Sequence, residues 1–150
     1  MAKSKTKKPK ATETPSPSKT PKTFVAPNDF YEQKPAWRVS KMVMDGDYGW
    51  EILDAEKLIF IKDKLSSFES MTWSEILIKN KKSNHLVKVG DLSKEAQDCL
   101  EKMGLDDVDR LLSLRLSGKE RVWGILAEGI LDLLWWDPQH QVCPSLKKHT

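Results

Sequence analysis

LLSLRLSGKERVWGILAEGILDLLWWDPQHQVC, residues 111–143, is the stretch on which the fold turns. It divides into three runs of strand character, 111–117, 121–126 and 130–137, dominated by leucine, isoleucine, valine and tryptophan. The links between them, Ser117-Gly118-Lys119-Glu120 and Ala127-Glu128-Gly129, are too short for a crossover. The runs therefore form an antiparallel meander. Alternation puts Leu112, Leu114 and Leu116 on one face of the first strand with Arg115 on the other, and groups Arg121, Trp123 and Ile125 on one face of the second. Trp135 and Trp136 point to opposite sides of the last strand, so one packs the core while the other, taken as Trp136, can stack on a base or a partner. LLWW is the last core strand, and DPQHQVCPS, 137–145, is the edge where any chemistry would occur.

Working back from the meander, Ser93 caps a helix over KEAQDCLEKM with Ala96, Leu100 and Met103 on one face, and Gly104 ends it. Asp106, Asp107 and Asp109 lack the oxygen-ligand spacing of a calcium loop and mark a turn before the first meander strand. Asp54 caps a helix over 55–68, where Leu58, Ile61, Leu65 and Phe68 make one apolar stripe. Thr72 and Glu75 form a capping box for a short helix bearing Trp73 and Ile76, and KNKKSNH, 79–85, is a polar loop. WRVSKMVMDGDYGWEI, 37–52, alternates and breaks at Asp45-Gly46, which predicts a short hairpin. The expected fold is α+β over residues 36–146, with helices packed on one face of a small antiparallel sheet. An extended arm at 25–35 precedes it, and a basic end at 147–150 follows.

The formal net charge of +3 hides a division. Residues 1–24 hold seven lysines against the single acid Glu13, and the remaining residues carry 18 basic and 21 acidic side chains, a net of −3. The proline-rich, apolar-poor tail is expected to be disordered, either as a solubilising linker or as a salt-sensitive tether to RNA, DNA or ribosomes. No apolar run is long enough for a membrane span, and no apolar segment follows the first lysines as a secretory signal would require. A cytoplasmic protein without membrane contact is expected. Cys99 and Cys143 stand far apart outside any CxxC or Cys/His cluster and read as free thiols. No metal or cofactor is inferred, since the chain has no P-loop, dinucleotide fingerprint, nucleophile elbow or HExxH.

Residues 93–143, and RLSGKERVWGIL within them, resemble the RelE/ParE toxin superfamily. The likeness lies in helices followed by a meander, in Arg121-Val122-Trp123 on a strand, and in a last strand that ends near His140-Gln141-Val142-Cys143. The core is also similar to small bacterial proteins of unassigned function that end in LLWWDP, His, VCPS and KKHT. The superfamily resemblance implies a RelE-like fold and a toxin, or a protein derived from one, that acts on RNA without metal. It implies an antitoxin as partner, and Arg121 and His140 as catalytic residues. Arg121 would hold the phosphate and stabilise the transition state, and His140 would protonate the leaving 5′-oxygen. Arg115, Lys119, Trp136, Lys147 and Lys148 are the candidate RNA-binding residues. By residue type alone, Arg121 equally suits an ion pair with Glu120 or Asp132, and His140 a turn position. Cys143 falls near the family's frequent tyrosine and lacks its phenol. Two alternatives need no catalysis: a protein-interaction module on the same fold, and the gyrase-inhibiting mode of ParE-like toxins.

Overall fold

The computed structural model describes residues 29–144. The tail at 1–24, residues 25–28 of the arm, and Lys147 and Lys148 lie outside the described residues. The chain divides at Tyr31, and the fold described below is that of the unit from Tyr31 onward.

Five strands form one sheet: β1 (Ala36–Arg38), β2 (His85–Lys88), β3 (Arg110–Arg115), β4 (Arg121–Ala127) and β5 (Ile130–Asp137), in the order β1-β5-β4-β3-β2. The meander forms as its short links require, with β3, β4 and β5 antiparallel. β2 adds antiparallel to β3, so the polar stretch 79–85 ends in a strand. β1 lies parallel to β5, Ala36 opposite Ile130 and Arg38 opposite Asp132. The sheet is therefore mixed, which corrects the expectation of a purely antiparallel one.

The expected hairpin over 37–52 is replaced by an irregular segment, and a bulge in β5 explains why. Trp123 pairs with Trp135, but its neighbour Gly124 pairs with Leu133, which leaves Leu134 outside the ladder. β1 has already ended at Arg38, so this half of β5 would otherwise be a bare edge. The 43–50 segment supplies its partners. Val43 N and Trp50 Nε1 both donate to the Leu134 carbonyl, at 2.9 and 3.0 Å, and Trp136 N donates to the Tyr48 carbonyl at 3.0 Å. Gly46 turns the segment at φ +90°, as the Asp-Gly signal anticipates. Gly124 is required at the bulge because a Cβ there would meet the Asp132 carbonyl oxygen at 2.4 Å.

Helix α1 (Ala55–Phe68) begins where Asp54 accepts from Lys57 N at 2.8 Å. Helix α2 (Lys94–Lys102) begins where Ser93 accepts from Ala96 N at 3.1 Å, and Gly104 follows it at φ +75°. Thr72 and Glu75 exchange their capping-box bonds at 2.9 and 3.2 Å ahead of a wide π-type turn at Glu75–Lys79. Trp73 N bonds the Gln33 carbonyl, and Pro35 is buried.

The register sorts β5 and its neighbours into two faces, and both are covered. Trp37, Leu131, Leu133, Val122 and Trp136 share the face that meets α1 at Ile61. On the other face, Leu111, Trp123 and Trp135 pack with Ala96 and Leu100 of α2, Tyr48 and Val142. Helices thus lie on both faces, not one. ILDLLWWD is apolar almost throughout, and such a strand needs cover on both sides. Trp135 and Trp136 are consequently both buried. Trp136 is 2 % exposed with its ring 6.2 Å from that of Trp50, so it is unavailable for stacking on a base, which corrects its assignment to RNA binding.

Candidate functional site

Arg115, Arg121 and Asp137 stand side by side across three strands, on the face that α2 covers further along. Asp137 is 1 % exposed, and three donors converge on its carboxylate. Its Oδ2 accepts from Trp123 Nε1 at 3.1 Å and from Val142 N at 2.9 Å, and its Oδ1 accepts from Gln141 N at 2.8 Å. These bonds fold the 138–142 loop back over the end of the sheet. Val142 thereby enters the core, and His140 is held at the bend with φ +59°, a left-handed conformation that few side chains adopt.

The two arginines close the β3–β4 turn. Arg121 Nη1 donates to the carbonyls of Ser117 and Gly118 at 3.0 Å and of Glu120 at 3.3 Å, while Arg115 Nε donates to Ser117 O at 3.1 Å. Neither acid considered as an ion-pair partner takes Arg121. Glu120 pairs with Lys57 at 2.5 Å and Asp132 with Lys41 at 3.6 Å. Among the described residues, no ion pair holds Arg115, Lys119 or Arg121. Lys119 is exposed at the tip of the turn.

The structure thus brings Arg115, Arg121 and His140 to one corner, and adds His85, which sequence reasoning left in a loop. His85 opens β2 opposite Ser113. Burial lowers the Arg121 pKa, and the neighbouring Arg115 lowers it further against the pull of Asp137. Burial likewise lowers His140 from its ordinary 6.5, and Arg121 and His85 reinforce this against its own backbone carbonyl and Asp137. These interactions are those of a corner with more cations than anions.

A pH prediction follows from the His140 shift. Its folded-state pKa lies below the unfolded value, so the unfolded chain binds the proton more readily. The neutral ring's contribution to stability is full above about pH 6.5 and is lost as the pH falls from there through the folded pKa. An NMR titration of His140 is expected to show a midpoint below 6.5 that rises in Arg121→Ala. A midpoint unmoved by that substitution would show that the two side chains do not interact.

Cys143 is half-buried, and its thiol donates to the Asp91 carbonyl at 3.4 Å. Burial, then Asp91 and Asp137, push its pKa up, so it stays a thiol and supplies no substitute for a phenol. Cys99 packs at the edge of the core, where burial raises its pKa too.

A second feature lies on the opposite face. The α1 stripe is only partly covered, with Ile61 2 % exposed and Leu58 55 %. It borders an apolar groove of about 560 Å³ between α1 and the 37–53 segment, lined by Trp37, Met42, Trp50, Leu58, Ile61 and Leu133. Among the described residues, no cluster of His, Cys, Asp or Glu could hold a metal ion, and no helix is long and apolar enough to cross a membrane.

No protein-family model, no curated protein and no solved structure matches the chain.

Proposed function

We propose that this chain is a RelE-like toxin, or a protein derived from one, and that the Arg115/Arg121/His140 corner takes an RNA phosphate. The observation that carries the reading is the gathering of two arginines without acid partners and one histidine at the end of a single sheet face, organised by a buried carboxylate. The succession of α2 and then the C-terminal meander β3–β5 supports it. Among the described residues only Nη1 of Arg121 is engaged, which leaves Nε and Nη2 to grip a phosphate as a fork. A bound phosphate would offset the repulsion from Arg121 and favour the imidazolium of His140, the form that donates a proton to a leaving oxygen. Cleavage of mRNA on translating ribosomes by protein stripped of metal with EDTA and then freed of the chelator tests the reading. Cleavage is expected, and its absence with purified folded protein rejects the ribonuclease.

The apolar groove favours a second reading, a non-catalytic module that holds a partner there. A naphthalene-sulfonate dye is expected to bind the groove and quench tryptophan fluorescence. Leu58→Lys should weaken that binding roughly tenfold, the effect of losing about 1.4 kcal/mol of apolar contact. Because Leu58 is 55 % exposed, its replacement should leave the thermal midpoint nearly unchanged. Dye affinity indifferent to Leu58→Lys would show that the groove is not the binding surface.

A further inference from the structure

We propose that Lys57 is a positioning residue of the Arg115/Arg121/His140 corner: it holds Glu120 on the α1 side of the sheet and so keeps that carboxylate from closing an ion pair with either arginine. The proposal rests on the phosphate-binding reading above and names what keeps its cations free.

The place of Glu120 is the first argument. It is the only acid between Asp109 and Glu128, and it directly precedes Arg121 in the chain. Alternation sends Glu120 to the face of Val122, which α1 covers, and Arg121 to the other face. The two sides meet at Ser117. Its hydroxyl donates to Glu120 Oε1 at 2.7 Å, while its carbonyl accepts from Arg121 Nη1 at 3.0 Å and from Arg115 Nε at 3.1 Å. The bond to Ser117 would therefore keep a Glu120 released from α1 beside both arginines.

The place of Lys57 is the second argument. It lies in the first turn of α1, with its N–H on Asp54 Oδ1 at 2.8 Å. The helix dipole disfavours a cation in that turn, so the helix itself does not account for the lysine. Its ammonium lies 4.7 Å from the centre of the Phe60 ring and donates to Glu120 Oε2 at 2.5 Å. Both carboxylate oxygens of Glu120 are thus engaged, and its side chain is only 16 % exposed. Burial raises the Glu120 pKa, but the bonds from Lys57 and Ser117 outweigh it and hold the group below its ordinary value.

With its acid neighbour taken, each arginine spends its described bonds on carbonyls. A carbonyl orients a guanidinium without cancelling its charge. An arriving phosphate then meets two full positive charges.

The test uses the full chain, inorganic phosphate as the probe, and NMR of His140, with circular dichroism to check folding. Lys57→Met should bind phosphate roughly three- to fivefold more weakly, the effect of one competing solvent-side ion pair. Without phosphate, its His140 midpoint should rise, because Glu120 beside Arg121 offsets the repulsion. Glu120→Gln should bind at least as well as wild type, and Lys57→Met with Glu120→Gln should return to the wild-type affinity. A merely structural link would not recover when its second member is lost. Lys64→Met removes the same charge two turns along α1 and should change neither quantity. Unchanged affinity or an unmoved midpoint in Lys57→Met overturns the proposal and leaves the phosphate reading standing. So does a double variant as weak as Lys57→Met, or an equal loss in Lys64→Met. No phosphate binding by the folded wild type removes both.

Discussion

Arg121→Ala is expected to slow RNA cleavage by roughly a hundredfold or more, the usual cost of removing one preorganised donor from developing negative charge. Growth inhibition on expression should disappear with it. The same guanidinium bonds three turn carbonyls, so the substitution should also loosen the β3–β4 turn. The two effects separate by experiment. Arg121→Lys keeps a cation that can reach the turn carbonyls but loses the planar fork, and should recover stability more fully than rate. His140→Gln makes an independent measurement from the other side of the proposed phosphate site. If the imidazole is the acid, the rate should fall by about a hundred- to ten-thousandfold. Its fold should persist, as circular dichroism can check, because the loop is held by backbone N–H groups on Asp137 and not by the imidazole. Undiminished cleavage by both variants would reject the corner as the active site.

The meander and the helices were legible because their determinants are local. Short links, periodic apolar positions and capping side chains act within a few residues of where they are read, and Asp54, Thr72 with Glu75, and Ser93 all cap as their spacing predicts. The two outer strands were not legible for the converse reason. Whether Ala36–Arg38 pairs with β5 or with its own downstream neighbour depends on a strand nearly a hundred residues away and on the Leu134 bulge, which no local pattern announces. HLVK is too short to declare itself a strand until β3 offers an edge. The two-sided cover of the sheet was written in ILDLLWWD, whose near-continuous apolar character demands it. Reading one of the two tryptophans as outward-facing ignored that demand.

The site divides along the same line. Residue type and chain order place Arg121 and His140 near each other, since one lies on the middle strand of the meander and the other just beyond its last. The loss of both expected ion-pair partners was hidden, because Lys57 on α1 and Lys41 before it reach Glu120 and Asp132 from far away in sequence. His85 was hidden as well, for it joins the corner only through the pairing of β2. The organising role of Asp137 had no signal beyond its position before Pro138, since its three donors become visible only when the loop has folded back.

Asp137 should therefore carry the largest stability effect of any single side chain in the corner. In Asp137→Ala, the Trp123 indole N–H and the backbone N–H groups of Gln141 and Val142 lose their acceptor at a position 1 % exposed. Stranding buried donors of this kind costs about 1–3 kcal/mol each when water cannot reach them, so the loss should total at least about 3–5 kcal/mol. Asp137→Asn is the sharper variant. Its amide oxygen can still accept at one side, but its NH2 would face a donor at the other, so it should lose about 1–3 kcal/mol while keeping the shape of the side chain. Urea denaturation of the three proteins measures both differences. The variants should also separate loop from charge in catalysis: Asp137→Ala frees His140 from its left-handed bend and should abolish cleavage, whereas Asp137→Asn should retain part of it. A loss of less than about 1 kcal/mol in Asp137→Ala would mean that the three bonds do not hold the 138–142 loop. His140 would then have no fixed place beside Arg121, and the geometric basis of the corner would be gone.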